Sequence, residues 1–157
     1  MKKFMKILAP TDLSKLSCSG LRYALELARE QSAEILVLYV IAVSEEWFSR
    51  REEHGPVRDL IAREQGALDQ FLQEHFSDSL NLVEIRQKIE VGTPYSNIVE
   101  MAEREKVDLI VMSTHGRTGL KHMLLGSVTE KVIARAHCPV LSIPALGHSQ
   151  EDAAKAA

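Results

Sequence analysis

The regular alternation of short apolar runs with helical patterns is the feature that most restricts how this chain can fold. Apolar runs predict strands at Met5–Pro10, Ile35–Val43, Val107–Met112 and Pro139–Pro144. Helical spacing of apolar residues between them predicts helices at about residues 15–31, at about 57–76, after Pro94 and from Ser127. The nearly unbroken apolar run of Ile35–Val43 is typical of a strand covered on both faces, as in a parallel sheet.

A further strand, between Val83 and Val91, differs from the others because apolar and charged residues alternate in it. Since this is the period of a strand with one face in water, we place it at an edge of the sheet. After it, Thr93 is suited to cap the next helix and Pro94 to occupy its first turn.

The order of these elements, β-α-β-α-β-α-β-α-β, implies a single-domain α/β fold. We expect a doubly wound, five-stranded, mainly parallel sheet with helices on both faces. Sheets of this class bind ligands beyond the carboxyl ends of the strands, where the strand order reverses. The regions to inspect for a site are therefore Pro10–Ser14, Val40–Val43 and Ser113–Ser127.

Composition restricts the class of protein further. The 157 residues suit one domain, and a net charge of -3 gives no general attraction to nucleic acid or to acidic membranes. Cys18 and Cys138 are too few for a disulfide framework, which indicates a reducing compartment. Lys6 interrupts the apolar start, and no run approaches the roughly 18 apolar residues of a membrane span. We expect a cytoplasmic protein with no nucleic-acid or membrane partner.

Two segments are expected to lie outside the regular elements. Residues 44–56 are predicted to form a loop, since His54, Gly55 and Pro56 break any regular structure. Trp47 in this loop either packs locally or closes over a ligand. Residues 145–157 are Ala-rich and polar, so we predict a folded domain over 1–144 and a disordered tail after it.

Glycines in the segment that joins the fourth strand to the last helix point to a phosphate site. Gly116 follows a buried strand, and Gly126 with Ser127 stands at a helix start. Unpaired amides and the positive dipole end of a helix both favour phosphate, and glycine allows close approach of its oxygens. The Walker and dinucleotide-binding patterns are absent. Because Ser127 and Glu130 also form a complete capping box, a purely structural interpretation stays open.

The segment MSTHGRTGLKHMLLGSVTEKVIARAHCPVLSIP, residues 112–144, resembles the carboxyl-terminal signature of the universal stress protein family. Near the start, KILAPTDLS resembles the first strand and loop of that family, and the likeness covers about residues 3–144. The resemblance implies a Rossmann-like fold of the adenine nucleotide alpha hydrolase type and a role in the stress response.

The ATP-binding branch of that family carries the pattern Gly-x2-Gly-x9-Gly-[Ser/Thr]. The corresponding register here is Ser113-x2-Gly116-x9-Gly126-Ser127, in which a serine replaces the first glycine. The resemblance therefore implies ATP binding, accompanied by Mg²⁺ or Mn²⁺. A serine at that position would be strained if the backbone required a positive φ.

The resemblance also assigns roles at the phosphate end of the site. Gly116 and Gly126 would offer amides to the phosphates, Ser127 its hydroxyl and amide, and Val128 and Thr129 their amides. His115 would donate to phosphate, or would be an exposed loop imidazole. Arg117, Lys121 and His122 would screen the triphosphate, or would form a solvated face.

At the nucleoside end, the resemblance implies that Pro10, Thr11 and Asp12 line the site and that the Val40 backbone recognises adenine. Asp12 would accept hydrogen bonds from adenine or ribose, with a cap on the first helix as the alternative. Met112 would pack near the base, with a place in the core as the alternative.

A nucleotide-responsive sensor, acting as a homodimer, is the function that the resemblance implies. The two copies would pair antiparallel through the last strand, Val140, Leu141, Ser142 and Ile143. The alternatives are an enzyme that hydrolyses ATP or transfers a nucleotidyl group, and an interaction dimer that binds no nucleotide. We expect slow turnover or none, because no residue pair near the site stands out as an activated base.

Overall fold

A computed structural model describes residues 3–116 and 124–145 of the chain. The strands are β1 (Lys6–Thr11), β2 (Glu34–Ala42), β3 (Glu84–Gly92), β4 (Leu109–Ser113) and β5 (Val140–Ile143). The helices are α1 (Cys18–Gln31), α2 (Glu45–Ser49), α3 (Val57–Phe76), α4 (Pro94–Arg104) and α5 (Ser127–Arg135). Short 3₁₀ turns precede α1 at Lys15–Ser17 and α3 at Arg51–His54. In the parts of the chain described, no helix is both long and apolar enough to cross a membrane.

The five strands form one sheet in the order β3-β2-β1-β4-β5, with every described strand pair parallel. The chain runs outward from β1 to β3 and then returns to the other side of β1 with β4 and β5. The strand order therefore reverses between β1 and β4, which is where such sheets bind ligands. The predicted doubly wound α/β fold is confirmed, and β3 lies at an edge as its alternating pattern predicted.

Helices cover both faces of the sheet, and successive residues of each strand point to opposite faces. On one face, Ile7 and Ala9 of β1 join a core that includes residues of α1 and α3. On the other face, Leu8 joins a second core that includes residues of α4 and α5. The two cores pack on opposite faces of the central strands and so position the carboxyl ends of β1 and β4.

Residues 44–56 are not the loop that the sequence predicted. They contain α2 and a 3₁₀ turn, because the Ser44 hydroxyl accepts the Trp47 amide at 3.2 Å and caps α2. The Trp47 ring stacks on the His54 ring, with centroids 5.1 Å apart. Trp47 thus packs locally, which was one of the two alternatives.

Two predicted helix caps are wrong. Thr93 stands at the N-cap position of α4, but its side chain accepts no capping hydrogen bond, whereas Pro94 occupies the first turn as predicted. Gly126, not Ser127, is the N-cap of α5. Since Ser127 already has helical backbone, the predicted capping box between Ser127 and Glu130 does not form.

Some predictions concern residues that the structure does not describe. These are the roles of Arg117, Lys121 and His122, and the tail beyond Ala145.

Candidate functional site

A cavity of about 350 Å³ opens at the carboxyl ends of the strands, where the strand order reverses. Of the residues that the sequence analysis assigned to the site, the twelve that the structure describes all lie on its wall: Pro10, Thr11, Asp12, Val40, Met112, Ser113, His115, Gly116, Gly126, Ser127, Val128 and Thr129. Four separate segments of the chain contribute these residues, so the fold brings together residues that are far apart in the sequence.

One end of the cavity is formed by the start of α5. Because its N-cap is Gly126, the helix has no capping side chain, and the amides of Ser127, Val128 and Thr129 have no acceptor within the helix. These amides and the helix dipole make this end attractive to an anion. The exposed Ser127 side chain adds a hydroxyl at the same place.

The Gly126 amide is not available to a ligand, contrary to the sequence-based expectation. It donates to the Thr114 carbonyl at 2.7 Å, which ties the helix start to the end of β4. The φ of Gly126 is -69°, a value that any residue adopts. A β-carbon there would lie 3.1 Å from the Thr114 oxygen, a tight contact, so glycine here relieves crowding and is not needed for conformation.

His115 and Thr129 close the cavity beside this helix start. His115 is only 7% exposed, and its Nδ1 lies 3.1 Å from the Thr114 hydroxyl, so the alternative of an exposed loop imidazole is wrong. The Thr129 hydroxyl donates to the Ser113 carbonyl at 2.9 Å. Both side chains are therefore held in place by β4 and the residue that follows it.

Asp12 and Gly116 bring the loops after β1 and β4 into contact. The Asp12 carboxylate accepts the Ser14 amide at 3.0 Å, forming a turn before the first helix. It does not cap that helix, because Ser14 occupies the cap position of the preceding 3₁₀ turn and accepts the Ser17 amide. A β-carbon on Gly116 would overlap the second Asp12 oxygen, so the close contact depends on glycine.

The other end of the cavity exposes the backbone of β2. Pairing of β2 with β1 ends at Tyr39, opposite Thr11, while pairing with β3 continues to Ala42. On the side toward β1, the peptide groups of Val40–Ala42 therefore extend past the neighbouring strand and line the cavity. Met112 lies on the same wall and also belongs to the core, so its place in the core is confirmed, and its contact with a base stays a prediction.

Six lining residues were missed by the sequence analysis: Ser17, Tyr39, Ile41, Ala42, Pro94 and Ile98. Ile41 and Ala42 fall within Val40–Val43, so a signal for them existed. No local signal marks the other four. For the two on α4, Pro94 and Ile98, a periodic pattern shows which face of the helix is buried but not which end of the sheet the helix covers.

Ser113 replaces the first glycine of the motif without strain. The described non-glycine residues with positive φ are Leu13, Ser32 and Lys106, so Ser113 has ordinary backbone. Its hydroxyl accepts the Gly20 amide at 2.9 Å and lies 3.0 Å from the Ser19 hydroxyl. The serine is thus bonded to the start of α1.

The described residues contain no group of three or more His, Cys, Asp or Glu side chains that could hold a metal ion. Burial raises the pKa of the Cys18 thiol, only partly offset by the charge of Arg22. Cys18 therefore stays protonated near neutral pH and has no thiolate character.

A family model described as the universal stress protein family matches residues 3–144. Universal stress protein MJ0531 of Methanocaldococcus jannaschii is 38% identical over 140 residues, covering 89% of this chain and 82% of the relative. Universal stress protein MJ0577 of the same organism is 31% identical over 153 residues, covering 89% and 94%.

Solved structures agree with the fold. The structure of MJ0577 has a TM-score of 0.70 at 33% identity and covers 91% of this chain and 97% of its own. A universal stress protein in complex with cAMP has a TM-score of 0.63 at 22% identity, covering 92% and 99%. One from Archaeoglobus fulgidus in complex with dAMP has a TM-score of 0.57 at 21% identity, covering 90% of this chain and 99% of its own. At these last two identities the likeness concerns the fold.

Proposed function

This chain belongs to the universal stress protein family, and we propose that its cavity binds ATP and that the protein acts as a nucleotide-responsive regulatory dimer. The observation that carries the proposal is the meeting, on one cavity wall, of all twelve residues of the expected nucleotide site. Two structures of the same fold contain adenine nucleotides, cAMP and dAMP, which supports this class of ligand.

The phosphate groups would lie at the start of α5. The amides of Ser127, Val128 and Thr129 have no acceptor within the helix or from a cap side chain, and the Ser127 side chain is exposed beside them. Gly116 and Gly126 leave room that β-carbons would fill. This donor set, which is uncharged and mostly backbone, suits the oxygens of a polyphosphate.

The nucleoside would lie at the other end, between β1 and β2. The peptide groups of Val40–Ala42, which extend past the end of the pairing with β1, would provide both donors and acceptors, as the edge of adenine requires. Ile98 and Met112 offer apolar surface for the ring. Asp12, whose carboxylate accepts hydrogen bonds, would receive a ribose hydroxyl or the adenine amino group.

A divalent cation, Mg²⁺ or Mn²⁺, would be bound through the nucleotide. Since no metal-binding cluster occurs among residues 3–116 and 124–145, phosphate oxygens and water would supply most of its ligands. The cation would neutralise phosphate charge that the uncharged amides of α5 only partly offset.

The connection from the cavity to the last strand supports a regulatory role. The Thr114 amide donates to the Ile143 carbonyl at 2.8 Å, and the Thr114 carbonyl accepts the Gly126 amide. One peptide segment thus joins the proposed phosphate end to β5, the strand through which we propose that two copies pair. A change in the position of Thr114 on nucleotide binding would reach the dimer edge directly.

Calorimetric titration of nucleotide-free protein with ATP and Mg²⁺ tests the proposal. Micromolar binding corresponds to about -8 kcal/mol, and one hydrogen bond to a charged group is worth about 1.5–3 kcal/mol. We therefore expect Ser127→Ala to weaken binding about tenfold. Gly126→Val should abolish it, because the valine would collide with Thr114 and displace the helix start.

Gly66→Val is the matched control, since nothing lies within 4 Å of a β-carbon at that exposed position of α3. It should bind ATP like the unmodified protein. Unchanged affinity in the Gly126→Val variant would disprove the phosphate placement. Absence of ATP binding by the unmodified protein would disprove the function and favour a dimer that binds no nucleotide.

A further inference from the structure

We propose that Ser113 is a positioning residue, whose hydroxyl holds the start of α1 against the end of β4 and so sets the separation of two cavity walls. In this role it acts on the cavity through α1 and makes no contact with the ligand. The consequence for ATP affinity rests on the function proposed above, whereas the tether itself does not.

The first amides of α1 need acceptors that the helix does not contain. Ser17, its N-cap residue, has helical backbone and makes no capping hydrogen bond with its side chain. The Gly20 amide is instead satisfied by the Ser113 hydroxyl, 93 positions away in the sequence. Ser113 thus caps a helix from a different strand, and loss of its hydroxyl would leave a buried amide unpaired.

The contact between α1 and β4 is too close for any other residue than glycine at position 20. A β-carbon on Gly20 would lie under 3 Å from the Ser113 nitrogen and from the Met112 carbonyl carbon. Glycine on the helix therefore permits the approach, and serine on the strand provides the acceptor. The two residues form a complementary pair.

Ser113 also contacts the opposite wall. Its carbonyl oxygen accepts the Thr129 hydroxyl of α5 at 2.9 Å. The side chain of Ser113 thus fixes α1, which follows the part of the cavity wall that contains Asp12. Its main chain fixes α5, whose start forms the proposed phosphate end of the cavity. With the Gly20 amide and the Ser19 hydroxyl both within 3.0 Å, the hydroxyl is committed to α1.

A positioning role for Ser113 and a serine that is merely tolerated at this position predict opposite effects of Ser113→Gly on ATP affinity. If position 113 served the ligand best as glycine, Ser113→Gly would bind ATP as well as the unmodified protein, or more tightly. If the hydroxyl positions α1, both Ser113→Gly and Ser113→Ala lose the tether. ATP affinity should then fall about threefold to tenfold, the equivalent of one hydrogen bond.

The experiment has two arms, which are measured on the full chain of each variant. Hydrogen exchange without nucleotide reports protection of the Gly20 amide and of the wall from Asp12 to Ser17. ATP titration, at temperatures where each variant is fully folded, reports affinity. Ser19→Ala is the control, because it removes a neighbouring hydroxyl but keeps the bond from Gly20 to Ser113. It should keep Gly20 protected and change the affinity less than about twofold.

Faster exchange at Gly20 together with weaker ATP binding in both Ser113 variants is the expected result. Faster exchange with unchanged affinity would overturn the proposal, since the hydroxyl would then serve stability alone. Unchanged exchange at Gly20 would overturn it as well. If the unmodified protein binds no ATP, the function proposed above fails, while altered exchange of the Asp12–Ser17 wall in the variants would still support the tether.

Discussion

At the scale of single residues, the site depends on positions where a side chain is absent. Gly116 allows the Asp12 carboxylate to pack against the loop after β4, and Gly126 allows the start of α5 to approach Thr114. Neither contact is visible in the glycine spacing, which indicates only that close approach occurs somewhere. The structure shows that each glycine allows two segments of the protein to pack closely against each other.

Replacing Gly116 by alanine should therefore disturb Asp12. The new β-carbon would overlap a carboxylate oxygen, so either the side chain or the loop must move. We expect ATP affinity to fall about tenfold, which corresponds to roughly 1.4 kcal/mol, because the proposed nucleoside contact is displaced. Calorimetric titration with ATP measures this change.

Gly66→Ala is the control for this substitution. Gly66 lies in the exposed part of α3 with open space around it, so alanine should raise the free energy of unfolding by about 0.5–1 kcal/mol. Its ATP affinity should not change. Equal affinities of both variants for ATP would argue against a role for Asp12 and Gly116 in binding.

At the scale of elements, the two ends of the sheet have different chemistry. The carboxyl ends of the strands open into the cavity, whereas charged side chains join the amino ends of β1, β2 and β3. Arg86 lies 3.0 Å from Glu34 and 3.2 Å from Glu105, and Lys6 lies 3.4 Å from Glu105. These contacts hold three strands and the end of α4 together at the end remote from the site.

The network predicts a specific dependence of stability on pH. Hydrogen bonding from Arg86 lowers the pKa of Glu105 below its ordinary value of 4.5, and Lys6 adds to the effect, although burial opposes it. Because the pKa is lower in the folded state, the stabilisation is complete above about pH 4.5 and is lost as the pH falls through the folded-state value. Urea unfolding at pH 7 and at pH 3 measures this loss.

Glu105→Gln separates this group from the other carboxylates. The variant should be less stable than the unmodified protein at neutral pH, and the difference should shrink as acidification increases the protonated fraction of Glu105. A difference that is independent of pH would show that the charge of Glu105 does not contribute. The absolute effect is expected to be small, since partly exposed ion pairs contribute little.

At the scale of the whole molecule, β5 lies at an edge of the sheet. Among residues 3–116 and 124–145 it pairs with β4 alone, and its four residues are half-buried within a single chain. An apolar edge strand of this kind favours pairing with another strand, and a second copy of the same edge is a self-complementary partner. Through Thr114, this edge is also bonded to the loop that lines the cavity.

We expect light scattering to report a homodimer at micromolar concentration. Ser142→Lys should shift the protein to a monomer, because two like charges would meet across the paired edges. Ser49→Lys, at an exposed position of α2, is the control and should remain dimeric. A dimer that persists in the Ser142→Lys variant would show that the copies pair through another surface.

The sequence by itself determined the order of the five strands and the four longer helices along the chain, the edge position of β3 and the three regions that form most of the cavity wall. These features follow from local information, because periodicity reports which faces are buried and a parallel sheet collects the ends of its strands at one edge. Val40 and Asp12 could thus be placed near each other without any knowledge of their contacts.

Only the tertiary structure decided how these residues are bonded. It showed that the Gly126 amide is used by Thr114, that Ser127 lies inside its helix, and that Ser113 caps α1. The physical reason is that each hydrogen bond depends on atoms brought together from distant segments. Composition and spacing indicate which polar groups need a hydrogen-bond partner. Which atom becomes that partner depends on how the segments pack together.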